Sequence, residues 1–221
     1  MIASKSRFAV SKVGASRITP FARASVGIFS SDDTRQQYFS TQSKSGFETV
    51  GVLGLGLMGH GICQVAAQSG IHSRVVAYEP EQKYLDSGKS RIEKSVAKLV
   101  SKDKLSRDQA DQLMGNITFT TDVTELENVD LVVEAVIENL DLKEKVYTEL
   151  GAACKPETVF ASNTSSLSIG EMAAFSGRAD KFVGVHFFNP VQVWFGNAWT
   201  VINRLKKMID HVSHCFSLSS S

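Results

Sequence analysis

The sequence predicts a doubly wound α/β domain built on a mostly parallel sheet. Three observations predict it. Short β-type runs alternate with longer helical stretches, the first run ends in a glycine-rich turn that opens into a helix, and no repeat or low-complexity linker interrupts residues 47–190. Strands separated by helices require crossover connections, and these place neighbouring strands parallel with helices on both faces.

The elements follow in order. Thr49-Val50-Gly51-Val52-Leu53 is a short apolar strand, followed by Gly54-Leu55-Gly56-Leu57-Met58-Gly59 and a helix through Ala67. A second strand over residues 73–78 stops at Glu79-Pro80, because the residue before a proline is pushed out of helical conformation. The spacing of Leu85, Ile92, Val96 and Leu99 among lysines predicts an amphipathic helix over residues 82–100, with another over 106–114. Strands are expected at 117–120, 131–134 and 159–162, and a Lys- and Glu-rich helix at 140–153. Ser168 followed by Glu171 has the spacing of a capping box, so a helix starts there, and Phe182-Val183-Gly184-Val185-His186 reads as the last strand.

The 221 residues are 43% hydrophobic and 21% charged, enough to bury a core, and the formal net charge of +1 gives no basis for nucleic-acid binding. No apolar run is long enough to span a bilayer; even Leu131-Val132-Val133 is broken by Glu134. Cys63, Cys154 and Cys215 form no C-x-x-C pair, which argues for a reducing compartment rather than a disulfide framework. His211, His214 and Cys215 lack further ligand groups nearby, so no metal site is expected.

Residues 1–31 carry Lys5, Arg7, Lys12, Arg17 and Arg23, many serines and no acid before Asp32. That composition suits a mitochondrial transit peptide, with residues 1–46 as leader and linker and the matrix as destination. The folded pattern then occupies residues 47–193. Residues 194–221 hold both tryptophans, a basic patch and a serine run, and read as a divergent, poorly ordered tail.

The glycine turn carries the first functional signal. Gly54 permits a tight turn, Gly56 lets backbone approach a pyrophosphate, and Gly59 lets the helix pack close to the strand, with the helix N-terminus facing the phosphate charge. Glu79 ends the next strand, where an acid would bond the adenosine ribose, and no arginine follows to welcome a 2′-phosphate. NAD is therefore expected over NADP, bound by a Rossmann domain.

Four segments in order resemble the L-3-hydroxyacyl-CoA dehydrogenases, including the similar 3-hydroxybutyryl-CoA dehydrogenases: Gly54-Leu55-Gly56-Leu57-Met58-Gly59-His60-Gly61-Ile62, Leu131-Val132-Val133-Glu134-Ala135-Val136-Ile137-Glu138-Asn139, Ala161-Ser162-Asn163-Thr164-Ser165-Ser166-Leu167, and Gly184-Val185-His186-Phe187-Phe188-Asn189-Pro190-Val191. The resemblance implies NAD-dependent oxidation of a 3-hydroxyacyl-CoA to the 3-ketoacyl-CoA, a step of fatty-acid β-oxidation. It implies that Gly54, Leu55, Gly56, Leu57, Met58 and Gly59 hold the pyrophosphate, Glu79 the ribose, and Ala135, Glu138, Lys143 and Asn163 line the rest of the cofactor. It places Ser165 and Asn189 near the substrate oxygen and nicotinamide, makes His186 the general base, and puts Ser95 and Lys102 against coenzyme A. A neutral imidazole suits such a base because its pKa lies near working pH.

The chain also departs from the family. Where the family carries a glutamate that orients the histidine, Ala198 stands, and no carboxylate occurs between Asp180 and Asp210. The family's all-helical second domain, which completes the cleft and makes the homodimer, has no counterpart in the remaining residues, so an exposed apolar face is expected. Two other readings therefore stay open: a catalytically inactive NAD-binding fragment, and another 3-hydroxyacid dehydrogenase such as the 3-hydroxyisobutyrate group.

Overall fold

The computed structural model describes residues 46–193, so the expected leader, the tail, Ala198, His211, His214 and Cys215 lie outside the described residues. Within them the chain runs β1 (Thr49–Leu53), α1 (Gly59–Gln68), β2 (Arg74–Tyr78), α2 (Gln82–Ser101), α3 (Arg107–Gly115), β3 (Ile117–Thr120), β4 (Leu131–Glu134), α4 (Leu140–Ala153), β5 (Val159–Asn163), α5 (Ile169–Phe175) and β6 (Phe182–Val185). Three 3-10 turns, Val123–Leu126, Ala179–Lys181 and Val191–Val193, complete the set.

The six strands form one parallel sheet in the order β3-β2-β1-β4-β5-β6. This doubly wound order reverses direction between β1 and β4 and opens a crevice there, at the carboxyl ends of the strands. Both faces of the sheet are covered, so the strands read as continuous apolar runs. Successive residues point to opposite faces. Val50, Val52, Val75, Ala77, Leu131, Val133 and Ala161 pack on one side with Ile62, Val65 and Ile92 of α1 and α2. Val76, Tyr78, Val132 and Phe160 pack on the other with Tyr147, Leu150 and Met172 of α4 and α5.

Local chemistry explains the helix ends. Ser106 makes a complete capping box with Gln109, a pairing the sequence reading had not singled out. At α5, Ser168 accepts from the Glu171 N–H at 3.3 Å, the forward half of the expected box. Arg178 donates to the carbonyls of Gly151, Cys154 and Lys155 and lies over the Phe160 ring, closing the C-terminus of α4. At the amino edge of the sheet, Asp130 accepts from the N–H groups of Glu48 and Thr49 and from the Thr49 hydroxyl, and pairs with Lys155 at 2.6 Å.

The last strand is shorter than predicted. It stops at Val185, leaving His186 just beyond the sheet, because the following backbone turns away: the Phe187 N–H bonds the Asn163 side chain at 3.0 Å instead of continuing the ladder. Cys63 and Cys154 are buried free thiols. Among the described residues no helix is long and apolar enough to cross a membrane, and no group of three or more His, Cys, Asp or Glu side chains could hold a metal ion.

Candidate functional site

The glycine turn joins β1 to α1 at the crevice. Gly54 sits at φ +87°, and a Cβ there would meet the Ala135 carbonyl oxygen at 3.0 Å, so only glycine fits between β1 and β4. Its N–H donates to the Tyr78 carbonyl at 3.0 Å, and the Ala135 N–H donates to the Leu53 carbonyl at 2.8 Å, which joins the ends of β1, β2 and β4. A Cβ on Gly59 would collide with the Gly54 carbonyl oxygen, whereas one on Gly56 would meet nothing within 4 Å. The three glycines thus differ in geometry: a positive-φ turn at Gly54, an open face at Gly56 and close packing at Gly59.

Helix α1 begins at that open face with no side-chain cap at Met58 and no acid in its first turn. Its free N–H groups and positive end are left to an anion. Beside the turn, Glu79 Oε2 accepts the Leu55 N–H at 3.0 Å, while Oε1 has no bond among the described residues. His60, which the sequence reading gave no role, places Nδ1 2.7 Å from the Gly56 carbonyl and so steadies the middle of the turn. A histidine one turn after the second glycine was the available signal.

The other wall is built at the ends of β4, β5 and β6. Glu138, 40% exposed, accepts from the Thr164 hydroxyl at 2.9 Å and from the Ser165 N–H at 3.0 Å, and so holds the loop after β5. Ser165, His186 and Asn189 are exposed, and their side chains make no hydrogen bond among the described residues, which leaves their polar atoms for a ligand. The His186 ring packs edge-on against Phe188 at 4.8 Å between centroids. Leu57, Ile137 and Phe188, on three loops of this same edge, are 65%, 71% and 62% exposed, an apolar rim of the kind expected where a further segment docks.

Lys143 is buried at the base of this wall. It is wholly enclosed behind the cleft wall because its ammonium bonds Glu134 at 2.8 and 2.9 Å and Ser162 at 3.4 Å. Glu134 also accepts from the Tyr147 hydroxyl at 2.9 Å, the Ser162 hydroxyl at 2.6 Å and the Val136 N–H at 2.7 Å, and all four side chains are buried. Burial, followed by the charge of Glu134, holds the Tyr147 phenol well above its ordinary pKa, so it stays protonated as a donor. Ser95 is half-buried on α2, and Lys102 caps its far end, roughly 20 and 30 Å along the helix from Gln82 at 1.5 Å per residue.

An open glycine turn, an uncapped helix N-terminus and an acid with a free oxygen at the end of β2, all at the reversal point of a parallel sheet, define a dinucleotide-binding Rossmann domain. Residues 49–195 match the model of the 3-hydroxyacyl-CoA dehydrogenase NAD-binding domain, and the chain belongs to that family, whose cofactor is NAD. The chain is 50% identical over 141 residues to a probable 3-hydroxybutyryl-CoA dehydrogenase of Deinococcus radiodurans, covering 64% of this chain and 50% of that protein. It is 42% identical over 147 residues to the peroxisomal bifunctional enzyme of Cavia porcellus, covering 66% and 20%. Among solved structures, (S)-3-hydroxybutyryl-CoA dehydrogenase PaaH1 from Ralstonia eutropha superposes with a TM-score of 0.63 at 37% identity, covering 66% of this chain and 51% of that one. The chain spans about half the length of the curated dehydrogenases it matches.

Proposed function

We propose that this domain serves the NAD-dependent oxidation of (S)-3-hydroxyacyl-CoA to 3-ketoacyl-CoA. The observation that carries the reading is the gathering, at one edge of the sheet, of the open glycine turn, Glu79, the Glu138-held Ser165 loop, His186 and Asn189. The resemblance of all four motif segments to the 3-hydroxyacyl-CoA dehydrogenases supports it.

NAD, when bound, supplies the acceptor for the substrate hydride. Gly54, Gly56 and Gly59, with Leu55, Leu57 and Met58 between them, hold the pyrophosphate against the N-terminus of α1, and Glu79 holds the adenosine ribose. Ala135, Glu138 and Asn163 line the wall toward the nicotinamide end. The His186 imidazole takes the proton of the substrate hydroxyl, and the Ser165 hydroxyl and Asn189 amide bond the oxygen whose charge changes. Ser95 and Lys102 contact coenzyme A, a lysine pairing with phosphate as a point charge. The reaction serves fatty-acid β-oxidation in the mitochondrial matrix, residues 1–46 acting as the import leader. The complete enzyme pairs as a homodimer through the helical half that the matching segment does not cover.

A second reading has its own observation. The His186 ring has no carboxylate partner among the described residues, and losing an orienting carboxylate costs on the order of ten thousandfold in rate in a hydrolase triad. On that reading this chain, taken alone, binds NAD and turns over little substrate.

One experiment separates the readings: calorimetry of NAD binding to the purified chain, with oxidation of 3-hydroxybutyryl-CoA followed as NADH absorbance on the same sample. Binding with turnover supports the first reading, and binding without turnover supports the second. Absence of NAD binding refutes both.

A further inference from the structure

The wall of the cleft rests on a buried ion pair, Glu134 with Lys143. Glu134 and Lys143 are both fully buried, and removing two charges from water is a poor way to stabilise a fold, since apolar side chains of similar size do as well or better. Their placement gives them another use. Glu134 ends β4, Lys143 and Tyr147 lie one turn apart on α4, and Ser162 belongs to β5, so the cluster ties together the three elements that carry the cleft loops.

The near contacts of the Lys143 ammonium go to Glu134 and Ser162, yet its charge stands 3.9 Å from Glu138 Oε2. Both oxygens of Glu138 are in turn occupied by the loop after β5, one by the Thr164 hydroxyl and one by the Ser165 N–H. The same loop is anchored from below, because Ser162, two residues before Thr164, donates to Glu134 at 2.6 Å. We infer that Lys143 and Glu134 are positioning residues: Lys143 fixes the Glu138 carboxylate by charge, and Glu138 fixes the loop that presents Ser165 to the cofactor. The inference rests on the NAD-site reading for its consequence, and on the structure alone for the coupling between Lys143 and the loop.

The test uses the full 221-residue chain. The double variant Glu134→Gln with Lys143→Met removes both charges at similar volume, and Tyr147→Phe removes one bond to Glu134 while keeping the Lys143 charge. Amide exchange at Ser165 by NMR and NAD affinity by calorimetry are the readouts. The double variant is expected to raise Ser165 exchange and weaken NAD by about fivefold each, the share a partly exposed ion pair carries. Tyr147→Phe is expected to lower the Tm and leave both readouts within about twofold.

Glu138→Gln, at a half-exposed side chain, reads the same coupling if the double variant does not fold. The amide keeps an acceptor for the loop and loses the attraction of Lys143, so Ser165 exchange again rises by about fivefold. Unchanged Ser165 exchange in either charge variant overturns the inference, as does a Tyr147→Phe effect equal to that of the double variant. If the wild-type chain binds no NAD, the cofactor reading fails while the exchange comparison still decides the coupling.

Discussion

Gly59→Ala and Gly56→Ala add the same methyl group three residues apart, and the geometry assigns them opposite consequences. A Cβ at Gly59 falls on the Gly54 carbonyl oxygen, a backbone atom fixed between β1 and β4 by its own N–H bond to Tyr78. The clash cannot be relieved by rotating a side chain, so α1 must shift off the turn. Overpacking of this kind costs about 3 kcal/mol, near the upper end of the usual range. For a domain of this size that is a fall in Tm of roughly 6–12 °C. A Cβ at Gly56 meets nothing within 4 Å, so stability should stay within about 0.5 kcal/mol. The same methyl occupies the approach that the pyrophosphate needs and costs one or two charge-assisted backbone hydrogen bonds, about 1.5–3 kcal/mol or roughly 10–100-fold in NAD affinity. Thermal melts and calorimetric titration of the two variants side by side test the assignment. A Gly56→Ala chain that melts as early as Gly59→Ala, or that binds NAD as tightly as the wild type, refutes this account of the turn.

Three other perturbations have definite expected outcomes. Glu79→Ala should weaken NAD by about tenfold, the worth of a hydrogen bond to a charged group, with little change in Tm because the Leu55 N–H can find water; equal affinity for the variant would remove Glu79 from the ribose site. Burial alone would raise the Asp130 carboxyl, but the bond to Lys155, the N–H and hydroxyl of Thr49 and the Lys155 charge together hold it below the usual carboxylate range. Its ionised form therefore stabilises the fold above that range, and Asp130→Asn should cost about 1–2 kcal/mol at neutral pH. The gap to wild type should narrow below the ordinary carboxylate pKa of about 4 and close under the depressed folded value; a gap that widens on acidification in denaturant titrations would contradict the sign. His186→Asn should leave the Tm unchanged, since the ring is exposed and unbonded among the described residues, while cutting any measurable hydroxyacyl-CoA oxidation by about 10²–10⁴-fold; a fall in Tm of several degrees would make His186 structural instead.

How much the sequence reveals depends on whether a residue's role is set locally. The bounds of β1, β3 and β4 and of the helix at 140–153 agree with the sequence reading, since apolar runs of fixed length and helical spacing are properties of neighbouring residues. The geometry of the glycine turn was legible for the same reason: strand, turn, helix and acid are consecutive, and strand pairing brings Glu79 to Leu55 without further information. The end of β6 was not, because Asn163, far away in sequence, draws the Phe187 N–H out of the ladder.

The burial of Lys143 is one thing this kind of reading does not reach. In the run Leu140-Asp141-Leu142-Lys143-Glu144-Lys145 nothing local distinguishes the lysine that enters the protein from the one two residues later that stays in solvent. Two distant facts decide it. Glu134 ends a strand that is buried on both faces and needs a cation, and position 143 is one turn before Tyr147, which already faces the sheet beside Phe160 and Phe182. A glutamate at the close of an otherwise apolar strand, followed by Lys and Tyr four residues apart on the next helix, is the trace such a cluster leaves in sequence. It can be read only by asking where the buried charge finds its partner.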